Sequence, residues 1–129
     1  MDKRWVYYQP NDKNPKGDYS DCVIRAFTKV TGKSWLEIFD ELIPIARKLQ
    51  CMPNDKACFE AYLSNKGFVY HGISNKKGTK RPTIESFTKE HPEGVYVLRV
   101  AQHAVASVNG HYYDSFDSGD YSMYGYWTK

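Results

Sequence analysis

Two periodicities divide this chain near Gly94. Before it, apolar residues recur at three- and four-residue intervals; after it they alternate. In DCVIRAFTKVTG, residues 21–32, Val23, Ala26, Phe27 and Val30 share one helical face, and Gly32 offers a C-terminal cap. Ser34 and Glu37 form a capping box at the head of SWLEIFDELIPIARKL. The stripe there is Leu36, Phe39, Leu42 and Ile43, and Pro44 should kink or end the helix. Asn54 predicts the cap of a third helix that closes at Gly67, and FVYHG then reads as a short strand. Thr83 caps a short amphipathic helix in TIESFTKEHPEG, with Pro92 as its terminator.

Beyond Gly94 the segments VYVLRVA, HAVASV and HYYDSF predict three strands. Asn109-Gly110 is the hairpin turn between the last two. The tail YSMYGYW can add a fourth strand, and WVYYQP near the start another. Helices first and an antiparallel sheet second is the α+β pattern. The expectation is one domain over residues 1–129, with a helical part at about 18–92 and a sheet part at about 94–127.

The 129 residues suffice for one packed core. A net charge of +3 is too small by itself to imply a nucleic-acid partner. The run NKKGTKRP reads as a solvated basic turn. No apolar stretch has membrane-spanning length, and MDKRWVYYQP holds none of signal-peptide length, so a cytoplasmic protein is expected. Aromatic residues make up 16%, which favours β-structure or an aromatic-lined cleft. Tyr121, Tyr124, Tyr126, Trp127 and Trp35 are assigned to packing. Cys22, Cys51 and Cys58 match neither a metal site nor a disulfide framework, and Cys51 and Cys58 are expected to be reduced thiols. Nothing calls for a cofactor. His103, His111 and Asp114 are the one weak metal cluster, and no metal site is assigned.

Cys22 stands where a polar, acidic loop becomes a helix, with Ser20 or Asp21 as the cap. Unsatisfied N–H groups and the helix dipole favour a thiolate there. Such thiols fall from about 8.5 towards about 3.5–7.5. A thiolate that attacks an acyl group needs an imidazole partner. His71, His91 and His111 sit at strand ends or turns and read as solvated or satisfied side chains, whereas His103 opens a strand of small and β-branched residues. With Asn109-Gly110 as a two-residue turn, paired positions sum to 219, so Asp114 lies opposite Val105. That makes Asp114 a same-face diagonal neighbour of His103, within reach of its ring. Asp117 competes for this role but falls on the other side of a regular strand. Arg25, one turn after Cys22, is assigned to an ion pair with Asp21 or Asp18.

A Cys-His-Asp order carried by GDYSDCVIRAF, GVYVLRVAQHAVASVNG and YYDSFDS resembles the papain-like cysteine peptidase superfamily. It is similar in particular to small single-domain members from phage and bacterial genomes. The resemblance implies a helical lobe against a sheet lobe with the active site between them. It implies a hydrolase (a thiol protease, isopeptidase or amidase) acting on a protein or peptide, in the host cytoplasm if phage-encoded. By motif, Cys22 is the nucleophile, His103 the general base and Asp114 its orienting acid. Transglutaminase-like acyl transfer uses the same triad. The glutamine that the family places shortly before its cysteine is missing, its position falling near Lys16 and Gly17. Asn14, or Gln9 if the loop folds back, is the substitute oxyanion donor. That departure keeps open a second reading, a catalytically inactive papain-like binding module such as a phage protein that inhibits a host factor.

Overall fold

The computed structural model describes residues 4–16, 21–74 and 80–129. Ser20 as a cap, Gly17 at the missing-glutamine position, Asp18 as a partner for Arg25 and residues 75–79 of the basic run lie outside them. Among the described residues the chain forms, in order, β1 (Trp5–Tyr7), α1 (Cys22–Thr31), α2 (Trp35–Leu49), α3 (Lys56–Asn65) and β2 (Val69–Gly72). There follow α4 (Ile84–Glu90), β3 (Val95–Val100), β4 (His103–Val108), β5 (His111–Asp114) and β6 (Gly125–Thr128). The α+β class holds: four helices are packed on one six-stranded sheet, ordered β1-β5-β4-β3-β6-β2.

The hairpin register is the one the turn demands. Asn109 and Gly110 both have positive φ, as a two-residue turn requires, and Val108 pairs with His111, Ser107 with Tyr112 and Ala106 with Tyr113. The division into a helical and a sheet part is less clean than expected. Residues 5–7 pair in parallel with β5, and residues 69–72 pair with β6, so the strands at both sheet edges come from before Gly94. The four strands β5-β4-β3-β6 would leave unpaired N–H and C=O groups along both edges, and these two short segments cover them.

Alternation along the strands builds a core on each face. Val97, Ala104, Ala106 and Trp127 meet Val23, Phe27, Ile38, Leu42 and Tyr62 from α1, α2 and α3. Leu98, Val100, Val105 and Tyr112 meet Ile84 and Phe87 of α4, together with Met123. The small side chains of Ala104 and Ala106 let α1 approach β4 closely. Phe27 is fully buried and stacks on Tyr62 with ring centroids 4.9 Å apart.

Three helix expectations are revised. In α2 the buried line is Ile38, Leu42 and Ala46, whereas Leu36 is exposed. The helix also continues through Pro44 to Leu49. Proline removes the hydrogen bond to the carbonyl four residues back. That carbonyl belongs to Asp40, and both Asp40 and Pro44 lie on the exposed side, where water replaces the bond while the buried line holds the helix. The cap of α3 is Asp55 rather than Asn54. The capping box at Ser34 and Glu37 and the cap at Thr83 are present as expected.

Phe27→Ala removes a ring from the seam between α1 and α3, where no neighbour can refill the space. Chemical denaturation should show a loss of about 3–5 kcal/mol.

Candidate active site

Cys22 is the first residue of α1. Asp21 occupies the cap position, yet its side chain makes no cap bond. The carboxylate is turned into the protein, where it accepts from Asn11 Nδ2 at 3.0 Å and Trp35 Nε1 at 3.0 Å and pairs with Arg25. Arg25 in turn points its other nitrogen, Nη2, towards Asp114 Oδ1 at 4.0 Å. Asp21, Arg25 and Asp114 are all buried, so the guanidinium is the counter-charge for two carboxylates delivered from distant parts of the chain. The expected pairing of Arg25 with Asp21 is present; the link to Asp114 is additional.

Asp114 ends β5 and is held at its carbonyl and at both carboxylate oxygens. Its carbonyl accepts from Tyr8 N at 2.9 Å and Trp5 Nε1 at 3.1 Å. Its Oδ1 accepts from Ser115 N at 2.8 Å, and its Oδ2 from the Ser118 hydroxyl at 2.7 Å. Oδ2 also meets His103 Nε2 at 2.6 Å, as the diagonal register anticipates. With Nε2 taken, the ring nitrogen left free is Nδ1, and Cys22 lines the same cavity as the imidazole. Phe116 and Tyr121 flank the imidazole, with ring centroids 5.2 and 6.2 Å away. Asp117 lies past the end of β5 and serves elsewhere, accepting from the Tyr112 hydroxyl at 2.6 Å.

The electrostatics follow from this geometry. Burial opposes charge on His103, but the Asp114 hydrogen bond, the Cys22 hydrogen bond and both negative charges outweigh it and raise the imidazole to about 9. Burial likewise opposes a thiolate at Cys22. The His103 hydrogen bond and charge, a backbone bond at Ala104 and the Arg25 charge together bring the thiol below its ordinary value. The two shifts run in the directions that favour a thiolate–imidazolium pair. Cys58 contrasts: burial first, then its neighbour Cys51, pushes its thiol up to about 11.

Cys22 and His103 open onto a cavity of about 590 Å³ between the starts of α1 and α3 and the β3–β4 turn. Gln9 and Asn14 do not line it. The Gln9 amide donates to Pro15 O at 3.3 Å and its oxygen accepts from Asn11 N at 3.1 Å, while Asn14 is exposed with its N–H on Asn11 Oδ1 at 3.1 Å. The loop spends its amides on its own turns. Two other amide side chains do line the cavity, Asn54 and Gln102; the sequence offers Asn54 only as a helix cap and gives Gln102 no role. Gln102 immediately precedes His103 in a left-handed conformation (φ 52°), an unusual choice for a residue other than glycine. Phe116 and Tyr124 also line it, although the aromatic tail reads as packing.

The remaining histidines sit elsewhere. His91 bonds Phe87 O through Nδ1 at 2.8 Å, His71 stacks on Tyr126, and His111 pairs with Val108 beside the hairpin turn. Among the described residues no three His, Cys, Asp or Glu side chains are grouped to hold a metal ion, and no helix is long and apolar enough to cross a membrane. Comparison with protein-family models, with curated proteins and with solved structures found no match.

Two outcomes are expected. Arg25→Ala strands two buried carboxylates and should cost about 3–5 kcal/mol in chemical denaturation. The ion pair also imposes a pH window on stability. His103 titrates at ~6.5 when unfolded and about 9 when folded, so its contribution is fully present below ~6.5 and is lost as pH rises through about 9. The stability gap between wild type and His103→Ala should therefore narrow as pH rises across that interval. Denaturant midpoints measured from pH 5 to 10 check this.

Proposed function

We propose that this chain is a papain-like cysteine hydrolase that cleaves an amide or related acyl bond of a peptide or protein. The observation that carries the reading is the placement of Cys22 and His103 on one cavity, with His103 bonded to Asp114 behind it. The Cys22 thiolate would attack the carbonyl carbon, forming a C–S bond and an oxyanion. The His103 imidazolium would then donate its proton to the leaving nitrogen as the C–N bond breaks, leaving a thioester. Neutral His103 would next take a proton from water, whose oxygen attacks the thioester and releases the acid and the thiol. Asp114 would hold the ring orientation and its charge throughout.

For the oxyanion, the Cys22 backbone N–H is one donor, since the first residues of a helix have no acceptor for theirs. A side-chain amide at the cavity, Gln102 or Asn54, would be the second in place of Gln9 or Asn14. A missing donor of this kind costs about 10²–10³ in rate. The absence of Gln9 and Asn14 from the cavity is what favours the other reading, an inactive papain-like binding module. In that case Cys22 would be an ordinary half-buried thiol.

Alkylation by iodoacetamide, mapped by mass spectrometry, separates the two. The hydrolase reading expects Cys22 to react at pH 6 at least about tenfold faster than Cys51 and Cys58, because an ordinary thiol of pKa ~8.5 is under about 1% ionised there. His103→Ala should remove that advantage. A Cys22 rate that climbs only near pH 8.5 and ignores the His103 substitution would leave the binding module.

A further inference from the structure

The cavity beside Cys22 carries an unequal set of charges. Arg25 is consumed by Asp21 and Asp114. Lys56 lies next to Asp55 at the start of α3, so these two balance. Arg99 is left over. Among the described residues it has no carboxylate partner, and its side chain is held by aromatic groups instead. Its Nη1 donates to the Tyr70 hydroxyl at 3.2 Å, and its guanidinium lies 5.5 Å from the centre of the Tyr124 ring. A second guanidinium, that of Arg81, packs on the same ring at 4.8 Å, and its buried Nε has no hydrogen-bond partner. Two like charges gathered on one tyrosine, with no carboxylate bridged to either among the described residues, form a field that an anion would relieve.

The position of Arg99 ties this field to the reaction centre. On β3 it pairs directly with Ala104 of β4, the residue after His103, and both line the cavity with Cys22. Directly opposed residues have Cβ atoms about 4.5–5.5 Å apart. Arg99 also shares the face of the sheet on which Val97 and Ala104 meet α1. Its arm is aimed by an unusual fit. Tyr70 lies so close to Gly125 that a Cβ there would come within 2.2 Å of the tyrosine hydroxyl. Glycine at 125 is what lets Tyr70 reach both Arg99 and, at 3.4 Å, the Tyr124 carbonyl.

We propose that Arg99, steadied by Tyr70 and Tyr124, binds a carboxylate of the substrate, so that the site selects peptides with an acidic group next to the cleaved bond. This rests on the reading of Cys22 as the nucleophile and adds its substrate class. A guanidinium fork suits a carboxylate better than an ammonium does.

The test is an NMR titration of the Cys22→Ser protein with three probes: acetyl-glutamate amide, acetyl-glutamine with a free carboxylate, and acetyl-glutamine amide. The first carries its charge on the side chain, the second at the terminus, and the third carries none. At least one charged probe should bind about tenfold more tightly than the neutral one, with shifts at Arg99 and Tyr124. Arg99→Gln should erase the preference, Arg99→Lys should keep part of it, and Gly125→Ala, which pushes Tyr70 aside, should weaken it. Equal binding of all three probes overturns the inference. So does a preference lost as fully in Lys56→Gln as in Arg99→Gln, which would mean a diffuse field. Cys22 alkylation in the otherwise unaltered protein reports separately on the nucleophile: a flat rate there sinks the hydrolase reading whatever the probes do.

Discussion

One buried cation holds this structure together at the place where it matters chemically. Arg25 reaches from the second turn of α1 to Asp21 on one side and Asp114 on the other, in a region nearly closed to water. A guanidinium buried alone would be costly, and so would either carboxylate; together they set how α1 docks on the sheet. Because Asp114 is also bonded to His103, the docking of α1 and the orientation of the imidazole are one arrangement. Cys22 lies on the same helix, less than one turn before Arg25, so its distance from the ring is set by the same contact.

The sheet supplies the second half of the geometry. Its alternating faces carry separate cores, yet the residues with chemistry gather at strand ends: His103 at the start of β4, Asp114 at the end of β5 and Gln102 in the β3–β4 turn. Strand interiors are committed to packing. Their ends are where a side chain can be positioned rigidly and still face a cavity.

Much of the site was legible because it depends on short-range rules. The Asn109-Gly110 turn admits few registers, and the register alone makes His103 and Asp114 diagonal neighbours. Gly32, Ser34 with Glu37, and Thr83 mark helix ends through local hydrogen bonding. What escaped depends on distance in the chain. Nothing near Arg25 in sequence indicates that its second carboxylate is residue 114. Ser118 could have been suspected, since the acidic motif YYDSFDS ends on it. Arg99 and Tyr124 meet only through the β3–β6 pairing. The phase of α2 was misjudged because Leu36 sits in the first turn, beyond the reach of the core, while Ala46 is small enough to be overlooked. Gln9 and Asn14 were chosen by proximity to Cys22 in the chain, and the loop's internal turns direct them away.

The parallel pairing of β1 with β5 has a consequence for when the protein becomes functional. Tyr8 and Trp5 grip the Asp114 carbonyl across a separation of 109 residues between Trp5 and Asp114. During synthesis the first three helices emerge long before their acid, and a closure of this span is among the slower events of folding. Cys22 is therefore exposed on a nascent chain while it still lacks its imidazole and its carboxylate. The arrangement of thiol, imidazole and carboxylate exists only after residue 114 has left the ribosome and the earliest strand has found its place beside it.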